Sequence, residues 1–145
     1  MDTAGVWVSD DVLEAYFKEL QDVFHGQGSK EIPDFFAFPL VIYTPVGVTL
    51  VQNTRQFQSI VSAYREALGS RGVVKTELLV EGQAALSDQR LQATVRYTDL
   101  GEDGHVIAST VAKYFLMRHG DRYKIEMLEY LELPLSLSEV ERIVH

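Results

Sequence analysis

The chain has 145 residues, 46% of them hydrophobic, and a net charge of −8 at pH 7. This length suits one domain, and the hydrophobic content excludes a disordered chain, while no apolar run reaches the ~20 residues that span a bilayer. The negative charge and the scattered Lys and Arg residues exclude the basic surface of a nucleic-acid-binding protein. We therefore expect one domain over residues 1–145, with neither a nucleic acid nor a membrane as a partner.

The sequence carries no sign of export. Residues Met1 to Gly5 lack the positive charge and the apolar stretch that begin a secretory signal. The chain also has no cysteine from which a disulfide framework could form. Both observations predict a cytoplasmic protein.

An amphipathic helix is predicted from Asp11 to Phe24. Ser9, Asp10 and Asp11 supply cap oxygens, and Glu14 stands three residues after Asp11, as in a capping box. Apolar side chains then recur at three- and four-residue steps, which places them on one face that must be buried. The residues of this face are Val12, Leu13, Tyr16, Phe17, Leu20, Val23 and Phe24.

A second helix is predicted after a short hairpin. Leu40 to Thr44 is rich in β-forming residues, Pro45 to Gly47 makes a turn, and Val48 to Val51 returns as a second strand. Asn53 followed three residues later by Gln56 is a capping signature. It opens a helix with one buried stripe, formed by Phe57, Ile60, Val61, Tyr64 and Leu68.

Long strands are predicted in the second half of the chain, because its apolar residues recur with a period of two. The stretch from Asp99 to Gly104 reads as a loop. Gly120-Asp121 then turns the strand from Val106 to Met117 into the next one, from Arg122 to Leu133. We expect these strands to form an antiparallel meander.

The end of the chain has two interpretations. Ser136 and Glu139 can cap a short terminal helix, whereas Leu133-Pro134-Leu135 can equally lead into a loosely held tail. The order of the preceding elements is a long helix, a hairpin, a second helix and a run of strands. This order predicts an α+β fold, in which a cone-shaped curved antiparallel sheet wraps around the two long helices and encloses one apolar pocket.

This layout resembles the nuclear-transport-factor-2-like superfamily of cystatin-like α+β barrels, which includes ketosteroid isomerase, scytalone dehydratase, polyketide cyclases and many proteins with no assigned role. The resemblance covers nearly the whole chain. It rests on Thr44-Pro45-Val46-Gly47 after a short strand, on Tyr16 in the first helix, and on the long strands joined by Gly120-Asp121. It implies the fold but little chemistry, because enzymes, transport factors and ligand binders share this frame.

Isomerases of this superfamily need a carboxylate base just before a Pro-Val-Gly-like turn, together with a tyrosine and a protonated acid. Thr44 stands at the position of the base, and a threonine hydroxyl cannot take a proton from carbon near neutral pH. The strand from Val106 to His119, where the acid is expected, contains no Asp or Glu. Only Tyr16 matches, so we expect no isomerase activity of this type.

Tyr16 and Glu129 are the candidate catalytic residues. Tyr16 matches a family position, although a tyrosine on the buried face of a helix is more often a core residue. Glu129 shares its parity with apolar neighbours, so strict alternation turns its carboxylate inward, where it could act as an acid or a base. A bulge close to Leu128 and Tyr130 would turn Glu129 outward instead, and both orientations stay open.

Aromatic residues are the candidate ligand-binding residues. Tyr64, Tyr97 and Tyr114 can face one cavity together with Tyr16 and Glu129. Rings with a polar tip suit a small apolar or aromatic molecule that carries one polar group, while core packing is the simpler interpretation. We expect a mostly apolar cavity without a working pair of proton-transferring groups.

No cofactor and no metal are predicted. His25, His105, His119 and His145 have no partners at the spacing of metal ligands on a shared helix or strand. The stretch Gly101-Glu102-Asp103-Gly104 lacks the strand–turn–helix context of a phosphate-binding loop.

Three functions are consistent with the sequence. The first is a homodimer that binds a small apolar molecule, since apolar residues of both parities along Val106 to Met117 would leave one face of the sheet exposed without a second copy. The second is an enzyme, a lyase, cyclase or hydrolase, that uses Glu129 and Tyr16 as an acid–base pair. The third is a protein-interaction module that docks a partner on exposed phenylalanines, namely Phe35, Phe36 and Phe38.

Overall fold

The computed structural model of the protein describes residues 8–144. The predictions made for Met1 to Gly5 and for His145 therefore lie outside the described residues. Six strands and three α-helices make up the described part of the chain, together with a short 3-10 helix. In chain order they are α1 (Asp10–Phe24), the 3-10 helix (Ile32–Asp34), β1 (Phe36–Thr44), β2 (Gly47–Val51), α2 (Thr54–Gly69), β3 (Lys75–Ala85), β4 (Arg90–Leu100), β5 (Val106–His119), β6 (Arg122–Glu132) and α3 (Leu137–Val144).

The strands form one sheet in the order β2-β1-β6-β5-β4-β3. The predicted antiparallel meander holds from β3 to β6, but β1 lies parallel to β6. Within the described residues, β2 and β3 are the two edges of this curved sheet. The sheet is therefore open and does not close into a barrel. The predicted mixed α+β fold with a curved sheet is confirmed.

Both predicted long helices are present, with one change at the first cap. Asn53 Oδ1 accepts a hydrogen bond from the Gln56 amide at 2.9 Å, as its capping signature predicts. In α1 the cap is Ser9 and not Asp11, because the Ser9 hydroxyl accepts from the Val12 amide at 3.2 Å. The helix therefore begins one residue earlier than the sequence predicts.

The terminal segment forms a helix, which decides between its two interpretations. Ser136 Oγ accepts from the Glu139 amide at 3.2 Å, and Glu139 Oε1 accepts from the Ser136 amide at 2.9 Å. This reciprocal pair is a capping box. The helix buries Val140, which is 2% exposed.

The core lies between the concave face of the sheet and one side of α1 and α2. Its fully buried members come from α1 and from the strands, and include Phe17, Leu20, Leu40, Leu91, Leu116 and Ile125. Val12, which the helical periodicity assigns to the buried face, is instead 56% exposed. It lies in the first turn of the helix, just after the cap.

The phenylalanines proposed as a docking surface are inside the protein. Phe35 and Phe36 are 1% and 2% exposed, and Phe38 is partly buried against the core. The Phe36 and Phe38 rings pack on the ring of Phe57 from α2, with centroids 4.6 and 6.1 Å away. The predicted interaction surface at these residues is therefore wrong, because they seal the core.

Candidate functional site

A cavity of about 170 Å³ lies between the concave face of the sheet and the three α-helices. Most of its wall is aliphatic or aromatic. Representative wall residues are Ile42, Phe57, Ile60, Val61, Leu128 and Val140. A dry cavity of roughly 150 Å³ with this type of lining is large enough to hold benzene. The hollow therefore has room for one ring-sized molecule.

Four tyrosines from four different elements line this cavity: Tyr64, Tyr97, Tyr114 and Tyr130. The hydroxyls of Tyr97 and Tyr114 lie 2.8 Å apart, and that of Tyr64 lies 2.9 Å from Thr110 Oγ1. Burial raises the pKa of Tyr64, Tyr97 and Tyr114, and raises the pKa of Tyr130 to about 12. All four stay protonated near neutral pH. Each of the two hydroxyl pairs uses one O–H, which leaves its second O–H able to donate elsewhere.

Asp99 brings a carboxylate to the same cavity. Its side chain is only 2% exposed, and Thr76 Oγ1 donates a hydrogen bond to Asp99 Oδ1 at 2.7 Å. The second oxygen, Oδ2, is buried and has no hydrogen-bond partner among the described residues. Burial raises the pKa of Asp99, and the hydrogen bond from Thr76 partly opposes this shift. The cavity thus contains one acceptor that the protein does not satisfy.

The polar groups of the cavity are neighbours on the sheet. Tyr97 pairs directly with Thr110 of β5, and Asp99 follows two residues later on the same face of β4. The Asp99 carboxylate is also among the charges that raise the pKa of Tyr64, which lies across the cavity on α2. The hydroxyls and the carboxylate are therefore near one another in a mostly apolar hollow.

Tyr16 does not contribute to this cavity, and its hydroxyl has partners elsewhere. It donates to the backbone oxygen of Tyr123 at 3.0 Å, and it also lies 3.3 Å from the backbone oxygen of Phe35. The ring packs edge-on against the rings of Phe17 and Phe35, with centroids 5.2 Å apart in both pairs. Burial raises the pKa of Tyr16. Tyr16 has the environment of a core residue that ties α1 to the start of β1 and to β6.

Glu129 lies on the opposite face of the sheet from the cavity. Phe115 pairs with Met127 while Leu116 pairs with Ile125, so Glu126 is an extra residue that shifts the phase of β6. Its neighbours in sequence, Leu128 and Tyr130, line the cavity, and Glu129 itself pairs with Lys113 on the outer face. Of the two orientations that the sequence leaves open for Glu129, the structure has the outward one, which a bulge produces. The structure does not bring Glu129 and Tyr16 together.

Thr44, at the expected position of the isomerase base, lines the cavity, but its hydroxyl is engaged in the turn. Thr44 Oγ1 donates to the Gly47 carbonyl at 3.2 Å and accepts from the Val46 amide at 3.3 Å. Gly47 needs a positive φ of 122° in this turn, which favours glycine. The local sequence therefore serves the hairpin.

The terminal helix α3 closes one side of the cavity. Val140, Ile143 and Val144 contribute to the wall. Arg71, just after α2, holds the segment in place, because its guanidinium donates to the Pro134 carbonyl and pairs with Glu139 at 2.5 Å. The cavity is thus enclosed in part by an eight-residue helix that one arginine attaches to the rest of the domain.

A family model described as "NTF2-like protein (DUF6841)" matches residues 8–130, which is most of the chain. The chain belongs to this NTF2-like family. The description of the family names no activity and no ligand, so membership shows the fold and leaves the ligand open. No curated protein matches the chain.

Solved structures similar to this NTF2-like domain agree with the fold. A domain of unknown function with a cystatin-like fold from Nostoc punctiforme has a TM-score of 0.64 at 15% identity, over 95% of this chain and 85% of its own. An NTF-2 like protein of unknown function from Shewanella oneidensis has a TM-score of 0.58 at 11% identity, over 83% and 96%. A de novo designed protein with a curved β-sheet has a TM-score of 0.56 at 9% identity, over 84% and 98%. At these identities the likeness shows the fold alone.

Sequence reasoning missed Asp99, Tyr130 and the residues of α3 as parts of the site of this NTF2-like domain. It assigns Asp99 to a loop, whereas β4 continues to Leu100 and Asp99 pairs with Thr76 and Ala108. The signal was present, because Asp99 continues the alternating series Leu91, Ala93, Val95 and Tyr97. The contribution of α3 to the wall was also missed, since a capped helix does not reveal what it packs against.

Within residues 8–144 of the NTF2-like domain, none of the helices has the length and the apolar character needed to cross a membrane. No group of three or more His, Asp or Glu side chains in the same range is arranged to hold a metal ion.

Proposed function

We propose that this NTF2-like domain binds a small, ring-sized apolar molecule in the cavity between the sheet and the helices. The observation that carries the proposal is the volume of about 170 Å³ behind mostly apolar walls. Ligand sites in proteins combine such walls with a few converging polar groups that orient the ligand. Here the hydroxyls of Tyr64 and Tyr97 and the carboxylate of Asp99 have that arrangement.

Thermal unfolding in the presence of toluene and of benzyl alcohol tests the proposal. A ligand specific for the folded state raises the melting midpoint, by about 5 °C at roughly ten times the dissociation constant for a domain of this size. Val61→Phe fills the cavity from α2 and should abolish this rise. Val12→Phe, an equal change at an exposed site of α1, should keep it. No rise with either compound, or an equal rise in Val61→Phe, would refute ring binding at this site.

We also propose that two copies associate through the outer face of the sheet. Leu50, Val41, Met127 and Phe115 occupy successive cross-strand positions from β2 to β5, so they form one apolar row. Next to it, Val48 and Tyr43 are 58% and 44% exposed. Isolated apolar residues are ordinary on surfaces, but a contiguous row of this length favours an interface.

The polar neighbours of this row favour a second copy as the occupant. Lys113 and Glu129 face each other across β5 and β6 on the same outer face. A twofold axis that passes between these two residues would bring each of them near the opposite charge of the second copy, which makes the patch self-complementary. Sedimentation at micromolar concentration should give a dimer, and Leu50→Lys should give a monomer while Val12→Lys stays dimeric. A monomeric wild-type protein would eliminate this proposal.

An enzymatic role is the second candidate, and it would use Asp99 in place of Glu129. The observation that favours it is a carboxyl of raised pKa that faces the cavity close to tyrosine hydroxyls. Exchange of the α-protons of cyclohexanone in D2O, followed by NMR, tests for a base in the cavity. Catalysed exchange that disappears in Asp99→Asn and persists in Glu129→Gln would support catalysis. Exchange at the rate of buffer alone would leave binding as the function.

A further inference from the structure

We infer that the molecule bound in the cavity carries a protonated amine, and that Oδ2 of Asp99 is the atom that receives it. The inference rests on the proposed binding of a ring-sized molecule and specifies the chemistry of that molecule. It follows from the hydrogen bonds, the charges and the rings that surround Asp99.

One oxygen of the Asp99 carboxylate lacks a hydrogen-bond donor among the described residues. Thr76 donates to Oδ1 at 2.7 Å, while Oδ2 of this cavity-lining residue is buried and accepts nothing within the described residues. A buried acceptor without a donor is destabilising, and a charged one more so. The ligand group that best complements Oδ2 is therefore a hydrogen-bond donor.

The Asp99 carboxylate also lacks a counter-ion among the described cavity residues. The basic residues among the described cavity residues are His25 and Arg65. The Arg65 guanidinium donates to the Phe24 carbonyl and lies 3.3 Å from His25 Nδ1, so it is already engaged between α1 and α2. Neither side chain is among the causes that shift the pKa of Asp99, which are burial and the Thr76 bond. An ammonium group would supply both the donor and the opposite charge, whereas a neutral hydroxyl would supply only the donor.

The aromatic part of the cavity wall also favours a cation. Tyr64, Tyr97, Tyr114 and Tyr130 line the same hollow. The faces of such rings attract cations, and the attraction is stronger where water is excluded. The net charge of −8 also favours the approach of a cation and disfavours that of an anion. Rings, carboxylate and net charge all select for the same class of ligand.

Three probes of similar size separate the contributions: benzylamine, benzyl alcohol and benzoate. Their dissociation constants for the full-length protein can be measured by NMR titration at pH 7.5 and 150 mM salt, where the amine is protonated. Charge-assisted hydrogen bonds are about twice as strong as neutral ones, so we expect benzylamine to bind about tenfold more tightly than benzyl alcohol, and benzoate to bind weakest.

Two variants locate the selectivity. Asp99→Asn keeps the size of the side chain and an oxygen for Thr76, and should reduce the tenfold preference for the amine to about onefold. Glu129→Gln removes the same charge from the outer face of the sheet and should keep the preference. A circular dichroism spectrum of each variant checks that it is folded.

The outcomes distinguish this inference from the proposed function. If benzyl alcohol binds wild-type protein as tightly as benzylamine, the amine inference is wrong while ring binding stands. If the preference survives in folded Asp99→Asn, the amine is received elsewhere and the inference is also wrong. If none of the probes binds, the proposed function fails and the inference fails with it.

Discussion

Asp99 is the side chain whose environment has the clearest energetic consequence. Its Oδ2 is buried without a partner, so the ionised form is unfavourable in the folded protein when no ligand is bound. We predict that Asp99→Asn raises the free energy of unfolding by about 1 kcal/mol at pH 7.5. Urea unfolding of both proteins measures the difference. A loss of stability on this substitution would show that the carboxylate is satisfied in the folded state.

The pH dependence of this difference has a definite sign. Burial raises the pKa of Asp99 in the folded protein above its ordinary value of 3.8, so the folded state holds the proton more tightly than the unfolded chain does. The stability of the wild type relative to Asp99→Asn is therefore highest below pH 3.8. It falls as the pH rises through the pKa that Asp99 has in the folded protein. Unfolding of both proteins measured between pH 4 and pH 8 should show the gap widening with pH. A gap that narrows with pH would contradict the burial of this carboxylate.

Tyr16 provides a contrasting prediction. Its hydroxyl bonds to backbone oxygens of Phe35 and Tyr123, and it is absent from the cavity wall. Tyr16→Phe should lower the free energy of unfolding by about 1 kcal/mol, the value of one lost hydrogen bond, and should leave the affinity for benzyl alcohol unchanged. Urea unfolding and NMR titration of the same variant measure the two quantities. A large loss of affinity without a loss of stability would place Tyr16 in the site after all.

Glu129 and Asp99 show which properties of a side chain can be predicted from the sequence. Along β4, the alternation of apolar and polar residues correctly predicts which side chains point to the same face of the sheet. Asp99 belongs to the inward series once the strand is extended to Leu100. Alternation fails for Glu129, because the extra residue Glu126 reverses the phase. A bulge depends on how two strands pair, and neither strand alone contains that information.

Among the secondary-structure elements, α3 is the one whose attachment can be tested separately. An eight-residue helix is too short to be stable alone and depends on its contacts. Arg71 provides two of them, to Pro134 and Glu139. Arg71→Gln should accelerate amide hydrogen exchange in α3 several-fold, while the global free energy of unfolding changes by less than about 1 kcal/mol, as expected for a partly exposed ion pair.

The control for this prediction is Arg122→Gln, which removes an ion pair with Asp34 at 3.7 Å, at the start of β6. Exchange in α3 should not change in this variant. Equal exchange rates in the wild type and in Arg71→Gln would show that apolar contacts such as those of Val140 are sufficient to hold the helix.

The helices were easier to predict than the pairing of the strands. The caps at Asn53 and Ser136 are local signals, since each connects residues three positions apart. The parallel pairing of β1 with β6 joins segments that are distant in the sequence, and no hairpin turn sets its direction. The sequence therefore predicts the elements, and tertiary contacts determine how the first hairpin joins the sheet.

At the level of the domain, the order of the elements is sufficient to predict a curved sheet with helices on its concave side. The existence of the cavity cannot be predicted from this order. Its volume is the small remainder between the space that the sheet encloses and the side chains that fill it, so a few rotamers decide whether it exists. The periodicity of α2 and the strands identifies tyrosines that face inward, but it does not distinguish a filled core from a hollow one.

The hollow beneath the sheet is mostly apolar, and the proposed function requires that a small guest can enter it. X-ray diffraction from crystals held under xenon pressure measures such entry, because xenon occupies dry apolar cavities of roughly this size. We predict a xenon site inside the domain, in contact with Ile60, Val61 and Leu128. An interior filled by side chains, with no xenon within contact distance of these residues, would contradict it.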